Sequence, residues 1–352
     1  MTPAVPPQVT LAFGSGLDVA TWPERHAAGE VPDVWPYGLD KLGRSGAAVD
    51  TVSLPEPSRA QVAAARARRM LRSGARTPAE PRRIGVAWDE HVARRMLVLA
   101  PRPEMFSGAI WVSDLLARDL RDPVAARQLK VLSAMDGVYV NSRAQVDVLA
   151  GALGPSGPKV DYFPFGIDGD FFRPSPYPDR PLVVSFGGDR DRDPETLYEA
   201  LALVHEAAPE AEIVIQSRSQ APLPAGVRLV PRMSHRDLAQ LYARASVVVV
   251  ATRHNLHMSG LTVSLESMAS ARPVVITETP GADDYFSDGE TAHLARCGDA
   301  PGIAGKVLAV LADPAAGAAM GVRARREVDD RFTTTHLARS MAKSFGLTKP
   351  PG

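Results

Sequence analysis

Ser246-Val247-Val248-Val249-Val250-Ala251-Thr252-Arg253-His254-Asn255-Leu256-His257-Met258-Ser259-Gly260-Leu261-Thr262-Val263-Ser264-Leu265-Glu266-Ser267-Met268 is the stretch from which the fold is read. Four consecutive valines with no polar alternation form a strand buried on both faces, which is the habit of parallel sheets flanked by helices. A polar loop follows, then Ser259-Gly260, then an apolar helical run that carries one acid, Glu266. A second segment has the same grammar: Val184-Ser185-Phe186-Gly187-Gly188-Asp189-Arg190-Asp191-Arg192-Asp193-Pro194 is a strand, a glycine pair and a helix start. Outward from these, strands are predicted at Val9–Phe13, Val49–Leu54, Ile84–Trp88, Ala109–Val112, Gly137–Asn141 and Lys159–Phe163. Others fall at Leu182–Phe186, Glu212–Gln216, Val227–Val230, Ser246–Ala251 and Pro273–Thr277, with helical patterns such as Pro194–Ala208 and Arg236–Ala243 between them. Strand–helix alternation of this kind predicts two doubly wound parallel sheets. The proline-rich run within Asp168–Arg180 is read as the joint.

Composition narrows the function classes. The 352 residues include 40 basic and 40 acidic ones, so no global field draws the chain to nucleic acid or anionic lipid. The single cysteine, Cys297, excludes an internal disulfide framework and a cysteine-rich zinc site. No apolar run reaches membrane-spanning length and the N-terminus lacks a signal pattern, so a soluble, cytoplasmic protein is expected.

In open parallel sheets ligands sit beyond the carboxyl ends of the strands. A Ser-Gly loop opening a helix offers free amides to an anion. Glu266, on an apolar helix, would be costly unless paired, and its carboxylate can accept two hydroxyls, as from a ribose. Arg192, after the earlier strand, can supply a cation to a diphosphate. These features describe a nucleotide-diphosphate pocket.

The second half resembles the donor domain of GT-B glycosyltransferases, of the retaining family 4 type. The resembling residues are Phe165-Gly166-Ile167-Asp168 with Phe171-Phe172-Arg173-Pro174, the run Pro231–Ala251, Leu265-Glu266-Ser267-Met268-Ala269, Arg272-Pro273-Val274-Val275 and Asp288-Gly289-Glu290-Thr291. In the first half, Tyr37-Gly38 stands where the family has a Gly-Gly turn, and Val140-Asn141-Ser142 resembles a strand end. The resemblance implies two Rossmann-like domains facing a central cleft: an acceptor domain at 1–170 and a donor domain at 171–332, with the last helix packing back on the first. It implies retaining transfer from a nucleotide-sugar, with a UDP-sugar expected, to a small-molecule acceptor, without cofactor or metal. Glu266 would hold the ribose. Arg192, Arg190, Gly188, Ser259, Gly260, Leu261, Thr262 and Gly38 would surround the diphosphate, and Arg232 and Met233 would lie by the base.

The departures concern the phosphates and the sugar: where the family has an arginine near Gly187 this chain has Gly188, which leaves Arg190 and Arg192 to share the phosphate work. Where the family has the first acid of Glu-x7-Glu this chain has Met258, so Met258, Asn255 and His254 become the donor-sugar candidates. Asp89 and Asp114, after first-half strands, are candidate catalytic bases beside Arg192, against ordinary cap duty. Asp168-Gly169-Asp170, Asp189-Arg190-Asp191 and His254-x-x-His257 are read as loop residues rather than metal ligands, because no third ligand stands near the histidine pair. The arginines of the 63–83 stretch, Arg66, Arg68, Arg69, Arg72, Arg76, Arg82 and Arg83, are read as a solvated face, with a basic patch for an anionic lipid or phosphorylated acceptor as the sharper alternative. The rival functions are a peripheral membrane glycosyltransferase acting on a lipid, a nucleotide-sugar epimerase and a non-catalytic nucleotide-sugar sensor.

Overall fold

The computed structural model describes residues 5–71 and 81–347. The described chain forms two compact units: residues up to Glu24, Val34–Phe163 and those from Ala338 onward make the first, and Arg25–Asp33 with Pro164–Leu337 the second.

The first unit holds β1 (Gln8–Gly14), β2 (Ala48–Leu54), β3 (Arg83–Ala87), β4 (Glu104–Gly108), β5 (Gly137–Val140) and β6 (Lys159–Tyr162), in spatial order β2-β1-β3-β4-β5-β6. The second holds β7 (Leu182–Ser185), β8 (Glu212–Ile215), β9 (Val227–Leu229), β10 (Val247–Val250), β11 (Val274–Glu278) and β12 (His293–Arg296), in order β12-β11-β10-β7-β8-β9. Every strand pairing is parallel. Both units are therefore Rossmann-like α/β domains, as the sequence pattern implies.

Two strands differ from expectation. The run Ala109–Val112 is not a strand; β4 lies just before it, at Glu104–Gly108. The buried Glu90 carboxylate takes the amides of Ile110, Trp111 and Val112 at 2.9, 2.8 and 2.9 Å, so this run turns into the helix Val112–Arg118 instead of pairing. Gly108 also sits where a Cβ would come within 3.0 Å of the Tyr139 ring, a closeness that marks a buried strand end. β12 was hidden in the sequence by its mixed composition; it forms because it extends the edge of β11, from Val275 against His293 to Glu278 against Arg296.

The second unit packs Val183, Val247, Val249 and Val275 of the sheet against Leu197, Leu201 and Val204 of one helix and Ile303 and Val307 of another, all buried. Its sheet reverses direction of growth between β7 and β10, and at such a reversal the loops diverge and leave a crevice at the carboxyl ends. The proline-rich run 173–178 has no regular structure and is fixed by Arg272. That fully buried guanidinium donates to the carbonyls of Tyr242 (2.9 Å), Ala243 (2.7 Å), Ser175 (3.0 Å) and Pro176 (2.8 Å), and to the Ser175 hydroxyl.

Candidate functional site

At the carboxyl ends of β7, β8 and β9 the second unit opens a cavity of about 650 Å³. Its wall includes Phe186-Gly187-Gly188 after β7, Gln216-Ser217-Arg218 after β8, and Val230–Met233 with His235 after β9. Thr262, Val263 and Glu266, from the helix Leu261–Ala269, close it.

Glu266 is 5% exposed, and Tyr242, itself fully buried, donates its hydroxyl to the carboxylate at 2.8 Å. Burial pushes the Glu266 carboxyl up to about 7 in spite of that hydrogen bond. The helix bearing it starts at Gly260, whose φ of 89° lies in the left-handed region that glycine enters freely. The Leu261 amide is already taken by the Met258 carbonyl at 3.0 Å and the Ser264 amide by Gly260, which leaves the first-turn amides of Thr262 and Val263, two residues of the cavity wall, outside the helix's own hydrogen bonds.

Arg192 threads a slot between two glycines. A Cβ on Gly260 would fall 2.8 Å from its Nη1, and one on Gly187 (φ 110°) would collide with its Nη2. Nη2 donates to the Phe186 carbonyl at 2.9 Å, while the buried Nε has no hydrogen-bond partner among the described residues. Burial draws this guanidinium down to about 10, against the opposing charge of Asp189 and the nearby Tyr242. Arg192 thus stands behind Gly187, at the edge of the cavity and outside its lining.

Asp189 organises the loop that carries Ser259. Its carboxylate accepts from the Ser259 hydroxyl at 2.7 Å and from the Asp191 amide at 3.0 Å, and lies 3.4 Å from His257 Nε2. Burial acts to raise its pKa, but the hydrogen bonds from His257, Asp191 and Ser259 outweigh this and hold the carboxyl well below the usual range. Ligand atoms of Asp189, Asp191 and His257 lie within 4.8 Å of one another, so the histidine does have acidic neighbours, supplied from the β7 loop and out of reach of a sequence-spacing argument.

The sequence-derived candidates therefore separate. Gly188, Arg232, Met233, Thr262 and Glu266 come together on one cavity; Arg190, Arg192, Ser259, Gly260 and Leu261 are not part of its wall. Arg190 Nε is 3.2 Å from the buried Asp191 carboxylate. Asn255 is used inside its own loop: Oδ1 accepts the Ser259 amide at 2.8 Å and Nδ2 donates to the Arg253 carbonyl at 2.8 Å. Met258 is buried with a φ of 57°, its sulfur 3.3 Å from the Thr279 hydroxyl, whereas His254 is exposed.

In the first unit, Asp89 caps the helix Glu90–Leu99, with Oδ1 accepting the His91 and Val92 amides at 2.8 Å each, and Asp114 is buried in the first turn of Val112–Arg118. Gly38 has φ 65° and follows Tyr37 at φ 60°; the Tyr37 ring stacks on Trp88 with centroids 3.8 Å apart. Arg72 and Arg76 lie outside the described residues, as do the side chains of Arg66, Arg68 and Arg69. Arg82 is ion-paired with Glu104. Among the cavity residues that the sequence reading did not name as site candidates are Gln216, Ser217 and Arg218. The rule that directs attention to strand ends would have found them, since they directly follow β8.

Residues 180–313 match the protein family described as Glycosyl transferases group 1, a match that lies within the second unit. The chain is 31% identical over 242 residues to a GDP-mannose-dependent alpha-(1-6)-phosphatidylinositol monomannoside mannosyltransferase of Mycolicibacterium smegmatis, covering 60% of this chain and 62% of that protein. It is 25% identical over 266 residues to a D-inositol 3-phosphate glycosyltransferase of Stackebrandtia nassauensis, covering 66% of this chain and 59% of that protein. It thus spans about three-fifths of the length of these two curated relatives. Among solved structures it resembles sucrose-phosphate synthase from Thermosynechococcus elongatus, with TM-score 0.67, 18% identity, and coverage of 97% of this chain and 98% of the other. It also resembles Anabaena Alr3699/HepE in complex with UDP and glucose, with TM-score 0.69, 14% identity and coverage of 96% and 99%. The fold is that of these GT-B glycosyltransferase structures. Among the described residues no single helix is long and apolar enough to cross a membrane.

Proposed function

We propose that this chain is a retaining glycosyltransferase that moves a sugar from a nucleotide-diphosphate sugar to a small-molecule acceptor. The observation that carries the reading is the cavity itself: one buried carboxylate, Glu266, set among arginines and helix-terminal amides, in the segment that matches the group 1 glycosyltransferases. Glu266, once ionised, accepts the two ribose hydroxyls. Arg232 and Met233 border the base. The Thr262 and Val263 amides meet the diphosphate and Arg192, behind Gly187, adds its positive field at the cavity edge; charge on the diphosphate grows as the glycosidic bond breaks, so groups fixed there in advance lower the barrier. No protein nucleophile is assigned.

A UDP-sugar is the first donor to test, after the UDP complex of Alr3699/HepE, and GDP-mannose the second, after the name of the Mycolicibacterium relative. That relative's name also supports a second reading, in which the acceptor is a lipid-linked inositol and the protein works at a membrane surface. The test is a thermal-shift panel of nucleoside diphosphates and their sugars, followed by release of free diphosphate with water-soluble or lipid acceptors. A ligand that binds only the folded state raises its apparent stability with concentration. Stabilisation by one diphosphate series and acceptor-dependent release are expected. Binding without release under any acceptor would favour the sensor.

A further inference from the structure

We propose that Arg218, at the end of β8, is a phosphate-binding residue of the donor pocket. This rests on the nucleotide-sugar reading above and adds to it a residue from a strand that no sequence motif singled out.

The argument starts from register. β7 and β8 run parallel with Ser185 opposite Ile215, and the Gln216 amide donates to the Ser185 carbonyl at 2.9 Å, so the loops leaving the two strands lie side by side. Three residues past β8, Arg218 crosses towards the β7 loop and packs over Gly188. A Cβ on Gly188 would fall 2.7 Å from Arg218 Nε and 3.0 Å from its Cδ. Gly188, unlike Gly187, does not adopt a positive φ, so its backbone does not demand glycine. What the missing side chain provides is room for Arg218.

The guanidinium placed there is uncommitted. Among the described residues nothing forms a hydrogen bond or ion pair with it. It lines the cavity together with Arg232, and the only carboxylate in that lining is Glu266. Two exposed arginines against one buried acid make a wall that favours an anion. The Gly187-Gly188 turn, where backbone lies bare to the cavity, and the Thr262 and Val263 amides are the other groups suited to phosphate oxygens. Arg218 reaches this wall over Gly188. A planar, permanently charged fork in that position is suited to bind two oxygens of one phosphate or one oxygen from each of two.

The experiment is calorimetric binding of UDP, UMP and uridine, and of GDP, GMP and guanosine, to the full chain and to R218A, R218Q and the double variant G188R/R218A. The Cβ of residue 188 points into the space of the Arg218 stem, so an arginine there would occupy it once position 218 is truncated. Arg218→Ala and Arg218→Gln are expected to weaken the diphosphate by about tenfold or more while leaving the nucleoside unchanged. Their salt dependence should be shallower, and the double variant should recover part of the loss. Equal weakening of nucleoside and diphosphate would overturn the assignment by showing that Arg218 serves the base side. Unchanged diphosphate affinity in folded R218A and R218Q would also overturn it. If the unaltered chain binds neither diphosphate, the nucleotide-sugar reading itself fails, and the assignment with it.

Discussion

The Tyr242 hydroxyl stands 2.8 Å from the Glu266 carboxylate, and both side chains are buried at the cavity of the second unit. A lone acid in that position resists ionisation, and the phenol, which stays protonated because burial and the adjacent Glu266 push its pKa well above the ordinary value, is its fixed donor. In the proposed nucleotide pocket the pair would set the pH at which the carboxylate can accept a ribose.

With the folded-state carboxyl near 7 and an ordinary value of 4.5, the folded protein keeps a proton that the unfolded chain has already lost. Stability is therefore expected to fall as pH rises from about 4.5 to about 7, by on the order of 3 kcal/mol from this group, and then to level off. Nucleotide affinity should move the other way, rising through pH 7 as the carboxylate forms. Urea midpoints and calorimetric affinities of the unaltered chain and Glu266→Gln across pH 5–8 check both signs; the variant should lose both dependences. Tyr242→Phe, which removes the donor to the charged form, should shift the affinity rise to higher pH.

Arg192→Ala is expected to lower turnover by about 100-fold while weakening nucleotide binding less, because in the proposed pocket its charge, held behind Gly187, acts on charge that grows in the leaving diphosphate. Steady-state kinetics beside direct binding separates the two. A loss confined to binding would make Arg192 a plain anchor.

Arg272→Ala should destabilise the second unit by about 3–5 kcal/mol, since it strips the donors from the buried carbonyls of Tyr242, Ala243, Ser175 and Pro176. Denaturant unfolding followed by fluorescence should report the lowered midpoint. Arg272→Lys is expected to recover only a part, because one ammonium cannot reach acceptors spread around a planar fork.

Transfer is expected to persist in EDTA, because arginines and amides meet the phosphates in the proposed pocket. Asp189, Asp191 and His257 give this prediction its risk, being close enough to hold an ion. Loss of activity restored by magnesium or manganese, and abolished in Asp189→Asn, would assign them that role.

The product should keep the donor's anomeric configuration, with the departing diphosphate assisting the acceptor from the same face. An inverting enzyme needs a base beside the acceptor hydroxyl. Asp89 has one carboxylate oxygen tied up by two helix amides, and Asp114 is buried in its helix. Anomeric couplings in proton NMR of fresh product decide the matter; inversion would return Asp89 and Asp114 to consideration.

The sequence by itself determined the layered α/β class, ten of the strands and the helix that bears Glu266, because these depend on local properties. Unbroken valine runs are buried on both faces, Ser234 caps the helix His235–Arg244 through the Asp237 amide, and Gly260 permits the left-handed turn before the helix Leu261–Ala269. It also singled out five residues of the cavity wall, since a loop that directly follows a strand is confined to the sheet's carboxyl edge. Tertiary structure decided what local pattern cannot express. The Glu90 carboxylate, about twenty residues upstream, diverts Ala109–Val112 from strand to helix entry. Asp189 reaches across from β7 to hold the Ser259 hydroxyl and the His257 ring. Gly188, set by the resemblance beside the diphosphate, is a vacancy that the Arg218 side chain fills. Each of these depends on which strands lie side by side, and neighbours in a parallel sheet are joined only by long crossovers, so the partner of a side chain lies far off in the sequence.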